Sequence, residues 1–504
     1  MTDQTNSHPV ISLSNAMLEA LPDGVAIPSY DRSKLTPGIV HIGLGNFHRA
    51  HQAWYLHRLM QLGLAHNWAI IGAGVRPCDA IMRERLLQQD CLTTLVELDP
   101  DSTSVEVIGS MIGFVEVHPE NAPLISAMSD PRIRIVSLTV TEGGYYQSEA
   151  GNLDISHPDI AHDIANPGRP ITAFGAMVAA YRARRDAGHL PFTGQCCDNL
   201  QNNGDVLRST IVALARLTDP DLAQWIDETG RFPNAMVDCI VPATGPVELS
   251  FVRNIGIEDA VPVTHENYRQ WVVEDRFCAG RPPWEHAGAT ITDDVHTYES
   301  MKIRTLNAGH QVLANAGDVL GIETIADCMT DPLIFDFFHK VQTEEFLPYV
   351  AGVEGISPQD YLALIERRFA NPKIRDTTRR VAFDGSSRHP AFVLPILRDA
   401  LASGGTVDGL ALVEALWARM CAGIREDGTL IEPNDPFWDQ LYEVAGHAKS
   451  NPVVWLEMRQ TYGDLADHPQ FVEAFSDWLK LIWSAGVRAA LKTYCGVRRT
   501  ALIG

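Results

Sequence analysis

The chain has 504 residues, of which 45% are hydrophobic and 20% are charged, a composition typical of soluble globular proteins and not of disordered ones. Its 40 basic and 63 acidic residues give a net charge of -23, which repels nucleic acid and anionic membrane surfaces. We therefore expect no nucleic-acid or membrane partner, and two domains because the chain exceeds one ordinary core.

The start of the chain has no basic, apolar leader pattern, and no apolar run approaches the roughly 20 residues needed to span a bilayer. These observations favour a cytoplasmic protein. The nine cysteines are scattered, with neither a CxxC pair nor a histidine at zinc-ligand spacing. We therefore expect reduced thiols and no metal site.

The first clear motif is a short apolar strand at 39–42 that runs into a glycine turn made of Gly43, Leu44, Gly45, Asn46 and Phe47. A strand, a Gly-x-Gly turn and a helix form the arrangement in which backbone amides receive a pyrophosphate. His48 stands where the usual fingerprint has its third glycine. The motif alone is therefore equally consistent with an ordinary tight turn between strand and helix.

A second strand at 68–72 is followed by an acid, Asp79, which lies 34 residues beyond Gly45. An acid after this strand can accept hydrogen bonds from the ribose hydroxyls and repels a 2'-phosphate, so Asp79 favours NAD over NADP. The alternatives are a plain helix N-cap at Asp79 and a phosphate preference from the neighbouring Arg76.

The following segments alternate between strands and helices. Alternating residues at 91–98 and 105–108 predict a β-ribbon, the runs 132–141 and 192–197 predict strands, and 173–184 predicts a helix. This order predicts an α/β, Rossmann-type N-terminal domain with a β-ribbon insertion, at residues 1–293.

Polar residues at the ends of the later strands are the next candidates. Thr141 and Asn199 follow predicted strands, where side chains face the ligand crevice of a parallel sheet, although ordinary turn chemistry is the favoured explanation of both. Asp238 lies inside the apolar run 232–242 and needs a partner, because an unpaired buried carboxylate is costly. The aromatic-rich segment 267–284 is interpreted as the link to the second domain.

Beyond residue 294 the pattern becomes helical. The runs 332–341, 358–369, 392–401 and 410–424 predict a mainly α-helical C-terminal domain at 294–504.

The stretch 298–311 places an amine, an amide and an imidazole among apolar residues with helical periodicity. At about 100° per residue, Asn307 lies roughly 140° and His310 roughly 80° from Lys302, so all three fit one broad helix face. A solvated face with a core histidine is the simpler alternative, and a short non-helical start is equally possible.

Arginines flank a polar turn at 384–388. Arg380 and Arg388 could hold an acidic or polyhydroxy substrate, while ordinary surface charge is the default explanation.

Six ordered motifs together resemble the polyol-specific long-chain dehydrogenases. They are the glycine turn through 43–52, the segment 139–144, Cys197 to Asn199, the segment 270–275, Lys302 to Asn307 with His310, and the turn 384–387. The resemblance runs from about residue 20 to the C-terminus. It implies a metal-independent, NAD-dependent monomer that interconverts a sugar alcohol and a ketose, of the mannitol and fructose type.

The resemblance also assigns roles to residues of this chain. Lys302 would be the general base, Asn199 and Asn307 would polarise the carbonyl oxygen, and His310 would orient the substrate. A further set matches positions around the substrate or on the proton path: Asp238, Glu299, Arg380 and Arg388. Cys78 departs from relatives that carry a second acid before Asp79, which leaves room for residual NADP use.

Three hypotheses remain open from the sequence. The substrate is a free sugar alcohol, or it is a hexuronate whose carboxylate pairs with Arg380 and Arg388; a pentitol such as arabinitol is a further variant of the same chemistry. A nucleotide-binding regulatory protein without turnover is the third, and the presence together of Lys302, Asn199, Asn307 and His310 argues against it.

Overall fold

A computed structural model of the protein describes residues 10–148 and 151–496. The first nine residues, on which the expectation about a leader depends, lie outside this part. The chain divides into two compact units, one ending at His296 and the other beginning at Thr297.

The described residues contain fourteen strands, and all of them belong to the first unit. In chain order they are β1 Ile11–Ser12, β2 Val25–Ala26, β3 Pro37–Ile42, β4 Ala69–Ala73, β5 Thr93–Leu98, β6 Thr103–Ile108, β7 Met111–Phe114, β8 Ile135–Leu138, β9 Thr193–Cys196, β10 Ala235–Asp238, β11 Ile257–Glu258, β12 Val263–Glu266, β13 Gln270–Val273 and β14 Thr290–Ile291.

Five of these strands form a parallel sheet in the order β7-β4-β3-β8-β9. Read as sequential strands, this is the 3-2-1-4-5 order of a dinucleotide-binding sheet, whose crevice opens where the order reverses, beyond the carboxyl ends of β3 and β8. The predicted Rossmann-type fold is confirmed.

The parallel sheet is apolar on both faces because helices cover each side. Ile39, Ile70 and Ile135 belong to one buried cluster, together with the inner residues of a helix at 52–61. Val40 and Val136 point to a second cluster that includes residues of a helix at 173–186. Because apolar residues face both sides of the sheet, these strands are continuous apolar runs in the sequence, and such runs predict buried strands.

The predicted ribbon, β5 and β6, pairs antiparallel and forms the centre of a second sheet in the order β12-β5-β6-β2. β2 comes from the N-terminal segment and joins its edge. The insertion is therefore confirmed, and residues well outside the ribbon complete its sheet.

The interpretation of 267–284 as a link between domains is wrong. β13 lies inside this segment and pairs with β10 on one side and β14 on the other, and the first unit continues to His296. Buried Trp271 and Trp284, whose ring centroids lie 4.6 Å apart, are core residues of this unit, so the aromatic content reflects packing and not a linker.

Nine α-helices accompany the strands in the described part of the first unit. They are α1 Asn46–Ala50, α2 Gln52–Gln61, α3 Asp79–Gln88, α4 Ala122–Ser129, α5 Pro158–Ala165, α6 Ala173–Asp186, α7 Asn203–Thr218, α8 Pro220–Thr229 and α9 Pro246–Ile255.

The described residues of the second unit form helices and connecting turns, and no strand. Its α-helices, the first of which begins just before the boundary, are α10 Val295–Lys302, α11 Ala308–Leu320, α12 Ile325–Thr330, α13 Pro332–Val341, α14 Pro358–Phe369, α15 Thr378–Val381, α16 Gly385–Arg388, α17 Leu394–Ser403, α18 Asp408–Met420, α19 Trp438–Ala448, α20 Val453–Leu456, α21 Arg459–Tyr462, α22 Pro469–Ala485 and α23 Val487–Tyr494. Three π-helical turns occupy Ile303–Asn307, Gln342–Phe346 and His389–Val393.

Two almost fully buried helices, α11 and α18, pack against each other at the centre of this unit. Their polar residues are therefore paired inside the core: His389 bonds Asn315 of α11 on one side and Glu414 of α18 on the other, at 3.1 and 2.7 Å. This buried chain fixes the register of the two helices, because each member would be left unsatisfied if one helix slid.

The predicted helices match well where no π turn intervenes. The runs 332–341 and 358–369 are found as α13 and α14, whereas 392–401 begins with part of a π turn before α17. All nine cysteines are free, as expected. Across the described residues, no helix is both long and apolar enough to cross a bilayer.

We predict that Gly43→Ala lowers the free energy of unfolding by more than about 1 kcal/mol, because φ is +86° and the added Cβ would lie 2.1 Å from the Thr139 carbonyl oxygen. Gly45→Ala is the matched control: no heavy atom lies within 4 Å of its added Cβ, and φ is -93°. Thermal unfolding of both variants checks this, and equal stability of the two contradicts it.

Candidate active site

The glycine turn after β3 is built by close approach. Gly43 lies in the left-handed region, where its missing side chain lets the Thr139 carbonyl of the neighbouring strand end approach. Gly45 caps α1 and faces open space. Asn46 ties the turn to the following loop by donating to the Pro242 carbonyl and to Thr244 Oγ1, at 3.1 and 2.9 Å. The turn is thus rigid, with an open surface at Gly45.

His48 explains the missing third glycine. Its ring stacks on that of His41 in β3, with centroids 3.4 Å apart, and both side chains are fully buried. His41 bonds Ser137 and Thr139 at 2.8 and 3.0 Å, and burial lowers its pKa to about 3. Two neutral imidazoles therefore fill the space between helix and strand that a third glycine usually closes.

Asp79 is the first residue of α3, and its Oδ2 accepts a 2.9 Å hydrogen bond from the Arg76 amide. The same carboxylate lies against Gly74, where an added Cβ would come within 2.4 Å of Oδ2. The N-cap of α3 is Cys78 and makes no side-chain cap hydrogen bond, so the interpretation of Asp79 as the N-cap is wrong. Its carboxylate instead closes the turn before the helix and lies beside the end of β4. Phe47 stacks on His51 with centroids 4.9 Å apart.

Asp198, part of the Cys197 to Asn199 motif but not a predicted site residue, organises the ends of β8 and β9. Its carboxylate accepts the amides of Val140 and Thr141, each at 3.0 Å, and the Tyr145 hydroxyl at 2.7 Å. Thr141 has a φ of +69°, which is costly for a β-branched residue and is tolerated where surrounding contacts impose it. In the sequence, the only indication of this role is the position of an acid directly before the candidate Asn199.

Asn199 and Asp238 differ in exposure. Asn199 is exposed in the turn after β9, and Asp238 is 4% exposed at the end of β10. Each makes polar contacts, so the requirement that Asp238 has a partner is met.

In the second unit, the candidate amine lies at a change of helix type. α10 ends at Lys302, the π turn Ile303–Asn307 follows, and the Ala308 amide bonds the Ile303 carbonyl five residues back. One inserted residue takes up about 100° of rotation, so Asn307 falls roughly 40° and His310 roughly 20° from Lys302.

The π turn corrects the angles of 140° and 80° expected from a regular helix. By this helix geometry, the amine, the amide and the imidazole fall closer to one face than on a regular helix.

Neighbouring side chains hold this turn in place. Gln342, from the second π turn, donates to the Thr305 carbonyl at 2.9 Å. Gly309 makes room for it, since an added Cβ there would lie 2.5 Å from Gln342 Nε2. The wide turn is therefore a packed feature of the core, consistent with the frequent use of π turns at functional sites.

The aligned groups are shielded from water. Lys302 is 6% exposed, and Glu299, one turn before it on α10, is 7% exposed; both make polar contacts. Asn307 Oδ1 is buried and has no hydrogen-bond partner among the described residues. An acceptor that is buried without a partner is costly unless a ligand satisfies it.

His310 stacks on Phe369, with ring centroids 4.2 Å apart. Burial, aided by three nearby arginines and opposed by Asp376, lowers the pKa of His310 to about 3. Its Nε2 lies 3.9 Å from Asp376 Oδ2 and has no hydrogen-bond partner among the described residues. The imidazole is therefore neutral at physiological pH and keeps a free hydrogen-bonding nitrogen.

The two candidate arginines are both engaged. Arg380 donates through Nε and Nη2 to Asp376, at 2.5 and 2.6 Å. Arg388 donates to the Val381 carbonyl at 2.6 Å. Asp376 was not among the predicted site residues, although an acid four residues before an arginine is a spacing that predicts such a pair.

No group of three or more histidine, cysteine, aspartate or glutamate side chains in the described ranges is arranged to hold a metal ion.

Two family models match the chain. The mannitol dehydrogenase Rossmann domain matches residues 37–286, and the mannitol dehydrogenase C-terminal domain matches residues 294–483. Mannitol 2-dehydrogenase of Cereibacter sphaeroides is 54% identical over 470 residues, covering 93% of this chain and 98% of the relative. That of Phaeosphaeria nodorum is 38% identical, covering 93% and 83%.

Two solved structures are also similar. Pseudomonas fluorescens mannitol 2-dehydrogenase in a ternary complex with NAD and D-mannitol has a TM-score of 0.89 and 38% identity, covering 96% of this chain and 99% of that one. A D-sorbitol dehydrogenase in substrate-free form has a TM-score of 0.87 and 33% identity, covering 95% and 100%.

We predict that acid costs the wild type more stability than it costs His310→Gln. The pKa of His310 is about 3 in the folded protein, against an ordinary value of 6.5. Below pH 6.5 the unfolded chain therefore binds a proton that the folded protein does not, and the folded protein loses stability as the pH falls. The loss reaches about 2 kcal/mol at pH 5. Unfolding free energies at pH 7 and pH 5 measure it, with exposed His447→Gln as the control. Identical pH dependence in wild type and His310→Gln contradicts the prediction.

Proposed function

Because the chain belongs to the mannitol dehydrogenase family, we propose that it is an NAD-dependent oxidoreductase that interconverts a sugar alcohol and a ketose, with D-mannitol and D-fructose as the pair. The observation that carries this proposal is the buried amine of Lys302, which directly precedes the π turn that ends at Asn307. The relatives named mannitol 2-dehydrogenase and the complex with NAD and D-mannitol support the substrate and the coenzyme.

Lys302 is proposed as the general base. Burial disfavours the charged form of a lysine, and only the uncharged amine can take the proton of a secondary alcohol. In the reverse direction the protonated amine returns that proton to the carbonyl oxygen. Glu299, one helical turn away, is proposed to carry the proton between Lys302 and solvent.

Asn307 and Asn199 are proposed to donate their amide hydrogens to the substrate oxygen. Two such donors stabilise the negative charge that develops there, which gives this chemistry an electrostatic source that does not require a metal. His310, neutral and with an unsatisfied nitrogen, is proposed to orient a substrate hydroxyl. Asp238, Arg380 and Arg388 complete the proposed set of substrate-binding residues.

The coenzyme is proposed to bind at the glycine turn. The open surface at Gly45 and the rigid turn formed with Gly43, Asn46 and Phe47 suit a close backbone approach to a pyrophosphate. Asp79 is proposed to accept the ribose hydroxyls. Bound there, NAD would supply the hydride acceptor of the reaction.

We propose residues 1–293 as the dinucleotide-binding domain and 294–504 as the substrate-binding and catalytic domain. The two family models, which meet between residues 286 and 294, support this division. We also propose a monomer located in the cytoplasm.

A substrate panel tests the function. NADH oxidation is followed with D-fructose and D-fructuronate, and NAD reduction with D-mannitol, D-sorbitol and D-arabinitol, each with and without a chelator. We expect D-fructose and D-mannitol to give the highest kcat/KM and the chelator to change nothing. Exclusive use of D-fructuronate, or of D-arabinitol, rejects the proposed pair, and loss of activity with chelator rejects metal independence.

We predict that Lys302→Ala lowers kcat by at least about a hundredfold, the scale of a general base, while NADH binding, measured by fluorescence, is unchanged. Added primary amine should partly restore turnover. Exposed Lys373→Ala is the control and should retain wild-type activity. Normal turnover in Lys302→Ala refutes the assignment.

We predict that Asp79→Ala raises kcat/KM with NADP about tenfold relative to NAD, because the carboxylate no longer repels a 2'-phosphate. Asp221→Ala, which removes an acid from the first turn of α8, controls for a general effect of helix-end charge. An unchanged coenzyme ratio in Asp79→Ala refutes this role.

A further inference from the structure

Arg380 is held by a carboxylate of its own chain. Asp376 is 4% exposed, and its two oxygens accept from Nε and Nη2 of Arg380. This two-point contact uses the edge of the guanidinium that is best suited to a carboxylate. The second oxygen of Asp376 also lies 3.9 Å from His310 Nε2, so the ion pair adjoins the proposed substrate-orienting imidazole.

The pair changes what Arg380 can recognise. Its charge is balanced by Asp376, and a second carboxylate brought to Arg380 would meet the like charge of Asp376. An uncharged hydroxyl meets no such repulsion and can bond the remaining Nη1 donor or the carboxylate oxygens. The two other arginines whose charge reaches His310 are Arg368 and Arg388, and neither is without a partner.

We propose that Asp376 is a specificity-determining residue, which occupies Arg380 so that the site accepts an uncharged ketose or polyol and excludes a hexuronate. This inference rests on the proposed function and names the substrate class of the same site. It assigns the rejection of the acid to one carboxylate and not to a shortage of arginines.

The test compares kcat/KM for D-fructuronate with kcat/KM for D-fructose. Asp376→Asn keeps the size of the side chain but removes the charge, so we expect the fructuronate-to-fructose ratio to rise about tenfold. In Asp376→Asn/Arg380→Gln the ratio should return to near the wild-type value, because the gain requires the released guanidinium. Asp376→Ser is the second single variant and should shift the ratio in the same direction.

Asp318→Asn is the matched control. Asp318 is also buried and pairs with two arginines, Arg379 and Arg425, at 2.8 and 2.6 Å. Its loss therefore imposes a similar structural cost, and we expect the ratio to stay unchanged. A ratio that rises equally in Asp318→Asn, or that stays constant in both Asp376 variants, overturns the proposal.

A measurement on the wild type keeps the proposal testable if the variants do not fold. D-mannitol and D-mannonate are titrated calorimetrically into the protein saturated with NADH, and we expect D-mannonate to bind at least about tenfold more weakly. Equal or tighter binding of D-mannonate overturns the inference. Failure of the wild type to turn over D-fructose and D-mannitol rejects the proposed function itself, whereas activity with an unchanged ratio in the Asp376 variants rejects only the role of Asp376.

Discussion

The π turn at Ile303–Asn307 is the constraint on which the candidate site depends. A regular helix would spread Lys302, Asn307 and His310 over a broad arc, whereas the extra residue brings them to successive turns of one face. The wide turn persists because Gln342 satisfies the Thr305 carbonyl and Gly309 gives it space. The same packing contacts thus stabilise the core and place the candidate reactive groups.

Charge around this face is arranged so that little of it is free. Burial keeps His310 neutral, and Asp376 balances Arg380. A polyol carries no charge but many hydroxyls, so a site for it gains from hydrogen-bonding groups and loses from isolated charges, which hold water tightly. The unsatisfied Asn307 Oδ1 and His310 Nε2 are groups of the kind that a polyol can satisfy.

Local pattern was sufficient for the strands and for the helices without π turns. Burial and periodicity repeat over short windows of sequence. They therefore predicted β3 with its glycine turn, the ribbon, α13 and α14. The π turn could not be predicted from local pattern, since it depends on Gln342, whose position relative to Thr305 is set by tertiary packing. The aromatic content of 267–284 misled for a related reason: Trp271 and Trp284 pack into a core that their neighbours in sequence do not reveal. Asp376 could have been found from its spacing to Arg380, yet its proximity to His310 could not.

The stacked pair His41 and His48 has a consequence for motif engineering. A designer who restored the standard fingerprint by writing glycine at position 48 would not bring helix and strand together, because the ring of His41 would still stand between them. The substitution would leave a void beneath the glycine turn and would therefore destabilise the turn instead of improving it. In this protein the number of glycines in the fingerprint therefore does not determine how well the glycine turn is packed.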